Sequence, residues 1–133
     1  MHPRRTLPLA LLSALLAAAA VLGACSKDKG TNPITTTNTE TFNASMNAVG
    51  TSFEHTFTNP STGYCYHCTI HSSGCGDRMW ATVVVDAAAA QDSAIVNVGF
   101  GGGNVFNPTS VTIKPGGYVR WVNASGSHTV TRP

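Results

Sequence analysis

The 133-residue chain carries eight Lys and Arg against six Asp and Glu, and only 11% of its residues are charged. Two of those cations, Arg4 and Arg5, precede a long apolar run, which leaves six charges of each sign in the rest of the chain. No basic stripe indicates nucleic-acid binding and no acidic run indicates a cationic partner, so composition argues against both.

The N-terminus has the pattern of a targeting segment. After the basic start, residues 7–24 form a Leu- and Ala-rich apolar run that ends in Leu-Gly-Ala-Cys at positions 22–25. This pattern predicts a secretory signal peptide over residues 1–24. Its last four residues resemble a bacterial lipobox, which implies that Cys25 is lipidated. An ordinary signal peptide and a membrane anchor of marginal length are the alternatives.

Residues 25–40 are rich in Thr, Asn, Ser and Lys and include Pro33. Such a segment buries little apolar surface, so we predict a flexible tether between the lipid and a domain over residues 41–133. The lipid would hold the protein at the bacterial cell envelope, facing the periplasm. Ser26 after the lipidated cysteine favours the outer membrane, by resemblance to bacterial sorting behaviour.

From residue 41 onward, short apolar or alternating segments are separated by turns rich in Gly, Pro and Asn, and no long segment has the helical period of 3.6. Residues 59–63 are predicted to form a turn, and residues 86–94 a connector whose four alanines allow a short helical turn. Strands are predicted over 52–57, 64–68, 80–85, 95–100, 110–113, 118–123 and 128–131. This spacing predicts an all-β sandwich.

Potential metal ligands cluster in the middle of the chain. Cys68, His71 and Met79 lie within twelve residues, at a strand end and in the loop after it, and His128 lies near the C-terminus. One Cys, two His and a weak Met form the ligand set of a blue-copper site. Zinc also binds Cys and His, but it usually takes four strong ligands.

Three cysteines remain beyond Cys25, and an odd number outside the cytoplasm needs an explanation. Cys65 precedes Cys68 by three residues, so on a strand the two side chains point to opposite faces. We therefore hypothesise a disulfide between Cys65 and Cys75, which leaves Cys68 for the metal. An oxidising compartment permits this bond.

Both halves of the domain resemble plastocyanin-like cupredoxins, but in exchanged order. Residues 106–123, with a Phe-x-Pro start, a Gly turn and a Val-x-Trp-x-Asn strand leading to His128, look like the N-terminal half of that family. Residues 42–85, with Cys-x-x-His and then Met79, look like its C-terminal half. The resemblance implies a Greek-key sandwich that is circularly permuted. An incomplete gene that joins parts of two domains is the alternative.

The same resemblance implies one copper ion held by Cys68, His71 and His128, with Met79 as the axial ligand. Seven residues separate His71 from Met79, more than is usual in the family, so a three-ligand site stays open. Permutation after His128 would place both chain ends in a surface loop at the metal end, and residues 86–94 would join the usual ends.

The family's function is one-electron transfer, so the resemblance implies a monomeric carrier that docks redox partner proteins transiently near His71. No catalytic base, nucleophile triad or substrate pocket is visible in the sequence, so we do not expect an enzyme. A copper-binding module for storage or delivery, without electron-transfer duty, is the main alternative. A metal-free structural domain is disfavoured because all four ligand types are present.

Overall fold

The computed structural model describes residues 40–133. The predicted signal peptide, the lipidation site at Cys25 and the tether up to residue 39 lie outside the described residues. Among the residues described, no helix is long and apolar enough to cross a membrane. The strands are β1 (Phe42–Met46), β2 (Ser52–Phe57), β3 (Ser61–His67), β4 (Trp80–Val85), β5 (Ser93–Val98), β6 (Phe106–Asn107), β7 (Ser110–Ile113), β8 (Gly117–Asn123) and β9 (His128–Arg132), with a 3-10 turn at Phe100–Gly102.

The strands form two sheets. The five-stranded sheet has the order β1-β9-β3-β4-β7, and the four-stranded sheet has the order β2-β8-β5-β6. Most neighbours are antiparallel, but β4 pairs with β7 and β5 pairs with β8 in parallel. The predicted all-β sandwich is confirmed.

Buried side chains from both sheets fill the space between them. Trp121 of β8 is fully buried and stacks on Phe53 at 5.5 Å between ring centroids. The ring of Tyr66 on β3 meets Trp121 edge-on at 5.2 Å, and Phe42 on β1 lies 5.4 Å from it. Aromatic side chains of this size bury a large apolar area each, so they tie the two sheets together.

Several strands coincide with the sequence expectation, and the exceptions have local causes. β4 and β7 begin and end where they were predicted. The predicted turn at 59–63 is wrong in its second half, because Ser61 pairs with Val85 and begins β3, with an irregularity before Tyr64. The connector begins with a single hydrogen-bonded turn, in which the backbone N–H of Ala89 donates to the Asp86 carbonyl at 3.0 Å and that of Ala88 donates to the Asp86 carboxylate at 2.9 Å.

The sandwich has two ends, which are distinguished by the position of His128. β9 starts at His128 and runs away from it, and the antiparallel strand β1 places Met46 beside His128 and Phe42 beside Arg132. We call the end that holds His128 the ligand end and the opposite end the far end. The expectation that both ends of the domain lie at the metal end is wrong for the described residues, because four residues of β9 carry the chain about 13 Å away from His128 and Phe42 pairs with Arg132.

Candidate metal centre

Two neighbouring strands bring Cys68 and His128 together. Cys68 directly follows β3, and His128 is the first residue of β9, which pairs antiparallel with β3 at His67 and Thr131. The backbone N–H of Thr129 donates to the Cys68 sulfur at 3.3 Å. The backbone N–H of Thr69 donates to the Thr129 hydroxyl at 2.8 Å, which joins the two segments beyond the sheet.

A tight turn places His71 beside the same sulfur. The His71 backbone N–H donates to the Cys68 carbonyl at 3.2 Å, and the Cys68 N–H donates to the Met79 carbonyl at 3.0 Å. The first bond folds the chain back directly after the strand. The second bond extends the pairing of β3 with β4 to the ligand end. The two ends of the loop from His71 to Met79 therefore lie close together.

The three side-chain donor atoms converge on a common point. Cys68 Sγ lies 3.4 Å from His71 Nδ1 and 3.9 Å from His128 Nδ1, and the two Nδ1 atoms are 3.2 Å apart. A point equidistant from these atoms lies about 2.0 Å from each, close to the bond lengths of about 2.0–2.1 Å for nitrogen and 2.3 Å for sulfur at zinc. This triangle therefore fits a first-row metal ion.

Burial of His128 favours its neutral form, which is the form that binds a metal ion. Cys68 and His128 are buried, with 0% and 2% of their surface exposed, whereas His71 is half-buried. Burial, and then the neighbouring His71, lower the pKa of His128, while a hydrogen bond to the Ser125 backbone acts in the opposite direction.

Met79 is the fourth predicted ligand. Its side chain is buried in the core with 1% exposure, and its backbone is bonded to that of Cys68. Cys68, His71, His128 and Met79 lie close together and form a candidate metal-binding site of the Cys/His/His/Met type. Within residues 40–133, the Cys68, His71 and His128 side chains are the group of His, Cys, Asp or Glu residues that could share an ion.

The loop between His71 and Met79 is cross-linked and internally bonded. Cys65 and Cys75 form a disulfide with a Cα–Cα distance of 6.1 Å, and Cys68 is the free cysteine of the described residues. The buried Ser72 hydroxyl bonds to the carbonyls of Gly74 and Asp77 at 2.7 and 2.8 Å. The disulfide attaches this loop to β3, three residues before Cys68.

His55 and His67 lie outside this group, whereas Met46 lies beside His128 through the pairing of β1 with β9. His67 is half-buried on the opposite side of β3, and the His55 ring Nε2 donates to the Glu40 carboxylate at 2.9 Å. Met46 is fully buried in the core at the end of β1. These positions agree with the interpretation of these residues as structural.

Four residues around His128 were not predicted from the sequence. Thr129 contacts the sulfur through its N–H, and Gly99, Ser125 and Gly126 surround the Nε2 edge of the His128 ring. The three glycines of 101–103 and the Ser-Gly pair at 125–126 mark turns, but a turn signal does not say which ring the turn packs against. These contacts depend on the pairing of strands distant in sequence.

Comparison of the chain with protein-family models, with curated proteins and with solved structures gives no match. The assignment of function therefore depends on the geometry of the site and on the chemistry of its donor atoms.

Proposed function

We propose that this protein is a blue-copper, one-electron carrier of the cupredoxin type whose ion is held by Cys68, His71 and His128, with Met79 as a weak axial ligand. The observation that carries the proposal is the triangle of one sulfur and two imidazole nitrogens, with sides of 3.2 to 3.9 Å. Copper held by these residues would supply one-electron oxidation and reduction, and Met79 as a weak ligand would tune its potential.

The ligand residues are held in place by backbone structure. Cys68 follows β3 and His128 begins β9, the neighbouring strand of the same sheet, and the Thr129 N–H donates to the Cys68 sulfur and holds it in place. A rigid set of donors changes little between two charge states, which favours fast electron exchange. The same rigidity argues against a site designed to release its ion to another protein.

The strand arrangement supports the circular permutation. All nine strands pair within one sandwich, and donors from both halves of the sequence meet in one site. The connector between β4 and β5 spans only residues 86–92. β1 and β9 are neighbours, so the start and end of the domain lie side by side. An arrangement with adjacent ends suits permutation better than it suits fragments of two domains.

The surface of the ligand end is suited to transient docking of a redox partner protein. The loops at 47–51, 69–73, 99–105 and 124–127 contain no Asp, Glu, Lys or Arg. Ile70, which is 55% exposed, directly precedes His71. Phe100, which is 52% exposed, directly follows Gly99, the residue that lies against the His128 ring. A small apolar surface without charge predicts weak binding with modest salt dependence, and we expect the monomer to be the active form.

The far end is the side on which the tether meets the domain, since Glu40 and Phe42 lie there. With lipid on Cys25, the protein would be anchored to the cell envelope, most simply at the periplasmic face of the outer membrane. The tether would raise the local concentration of the carrier near membrane-bound partners. We expect no enzymatic activity from this site.

The visible spectrum of the copper-loaded protein tests the proposal. We expect an intense thiolate-to-copper absorption, reversible oxidation and reduction, and loss of the band in Cys68→Ser with the fold retained. His55→Ala is the matched control for a histidine outside the site, since His55 contacts Glu40, and it should keep the band. Tight zinc binding with no blue copper form would contradict the proposal, as would rapid Cu(I) release to a chelator without the intense band, which a delivery module would show.

A further inference from the structure

Backbone atoms of two loops enclose the edge of the His128 ring that faces away from Cys68. A Cβ placed on Gly99 would lie 2.6 Å from His128 Nε2 and would overlap the Ser125 carbonyl oxygen. A Cβ placed on Gly126 would lie 3.1 Å from the same nitrogen. We call Gly99, Ser125 and Gly126 the Nε2 cradle. The ring fits against these loops only because two positions lack side chains.

Hydrogen bonds fix the cradle to the sandwich. The Ser125 hydroxyl donates to the Gly99 carbonyl at 2.5 Å and so joins the two loops. The Ser125 N–H donates to the side-chain oxygen of Asn123 at 3.0 Å. The Asn123 amide, which is 1% exposed, donates to the carbonyls of Met46 and Gly126 at 2.7 and 2.9 Å. The loop at 124–127 is therefore held against β1 as well as against Gly99.

The cradle also determines which ring nitrogen carries the proton. The Ser125 backbone hydrogen-bonds to His128, and Nδ1 faces Cys68 and His71. The bond to Ser125 is therefore assigned to Nε2, the nitrogen that lies against the cradle. A proton on Nε2 leaves the lone pair on Nδ1, directed at the other two donors. Bonds of this kind orient a metal-binding imidazole and fix its tautomer.

We propose that Gly99 is a positioning residue, because its lack of a side chain lets the Nε2 cradle hold the His128 ring in one orientation and one tautomer. The inference extends the proposed metal site, but the ring orientation and tautomer exist without the metal. Two features favour glycine at position 99. Its φ is positive, at 73°, and an added Cβ would contact the His128 ring. Its neighbours Gly101 and Gly102 have φ values of 65° and 79° but nothing within 4 Å of an added Cβ.

Gly99→Ala and Gly101→Ala in the full chain separate these two features. Both variants introduce a Cβ at positive φ, so their backbone strain is matched. We expect Gly99→Ala alone to change the ¹⁵N signals of the His128 ring in the metal-free protein, from one Nε2-protonated tautomer to a mixture. We also expect it to weaken copper binding by about 10- to 100-fold in a chelator competition, the range for outer-shell partners.

Ser125→Ala provides a second test if Gly99→Ala does not fold, since it removes only the hydroxyl that joins the two loops. We expect its His128 Nε2 proton to exchange with water faster than in the wild type. Unchanged ring signals and copper affinity in Gly99→Ala, or equal losses in Gly101→Ala, would overturn the inference, and so would an unchanged exchange rate in Ser125→Ala. A missing blue band in the wild type would refute electron transfer, while the metal-free ring signals would still test the cradle.

Discussion

The two ends of the sandwich are stabilised in different ways. At the ligand end, four loops without charged residues enclose a thiol and two imidazoles, and the contacts that hold His128 come mainly from backbone atoms. At the far end, the Glu40 carboxylate accepts hydrogen bonds from His55, Thr58 and Asn59 at 2.9 to 3.3 Å. Lys114 pairs with Asp92 at 3.1 Å at the same end.

This difference implies separate roles for the two ends, with metal binding at the ligand end and the joining of β1 to β9 at the far end. Fixed charges near the donor atoms would change both their protonation and the docking of partners, and the ligand end lacks them in those four loops. Charge is used instead where the ends of β1 and β9 must be held, as in the bond from Arg132 Nε to the Glu40 carbonyl at 2.7 Å. Substitutions at one end should therefore affect metal binding, and those at the other end should affect stability.

The largest expected effect is on copper affinity, when one histidine at each end is replaced separately by alanine. His128→Ala should weaken copper binding by more than about 100-fold, beyond the range for outer-shell residues, because it removes one of three converging donors. His55→Ala should leave copper affinity within about twofold of the wild type, because His55 contacts Glu40 and not the ion. Competition with a calibrated chelator measures both. Equal losses of affinity in the two variants would remove the distinction between the ends.

The disulfide tests whether the ligand end needs a cross-link that the far end does without. Replacing Cys65 and Cys75 by Ala removes a bridge between residues ten apart in sequence. We expect the metal-free protein to lose about 2–3 kcal/mol in free energy of unfolding, from the larger freedom of the unfolded chain. Urea unfolding followed by fluorescence measures this loss. A change below about 0.5 kcal/mol would show that the loop is held by its hydrogen bonds alone.

The pH dependence of stability tests the charged far end. Burial opposes ionisation of Glu40, but hydrogen bonds from His55 and Thr58 outweigh it and lower its pKa below the ordinary value of 4.5. A lowered pKa in the folded state contributes stability that is fully present above pH 4.5 and is lost as the pH falls through the folded value. The contribution should be no more than about 1 kcal/mol, because the group is partly solvated.

Glu40→Gln should therefore lower stability near neutral pH and flatten its loss below pH 4.5, as measured by urea unfolding at a series of pH values. Glu54→Gln is the matched control, since Glu54 pairs with Arg120 on the exposed face of the four-stranded sheet. We expect it to change stability by less than about 0.5 kcal/mol. An acid transition of the same steepness in wild type and Glu40→Gln would contradict the role of Glu40.

The sequence was most informative where the type of residue alone determines a strand or a metal-donor group. β-Branched and apolar runs predicted β4 and β7 with their observed bounds, because buried strands depend on local composition. The donor set was likewise predictable, since few side chains bind soft metal ions. No strand was predicted at β1 or β6. In β1, polar residues such as Asn43 and Ser45 interrupt the apolar pattern, and the strand is stabilised by its pairing with β9.

The parts that escaped prediction depend on tertiary contacts. The ends of the described domain lie at the far end because β9 continues beyond His128 for four residues. The length and direction of β9 could not be predicted from its sequence alone. The contact of Gly99 with His128 joins residues almost thirty positions apart, and a glycine in a loop is explained equally well by its backbone angles. Sequence thus identified the candidate donor residues, whereas the structure identified the residues that contact them.

X-ray absorption at the copper edge of the loaded protein tests the central claim most directly, because it counts the atoms bound to the ion. The account predicts one sulfur and two imidazole nitrogens at short distances, with the sulfur signal lost in Cys68→Ser. A shell of nitrogen and oxygen atoms without a short sulfur would contradict it.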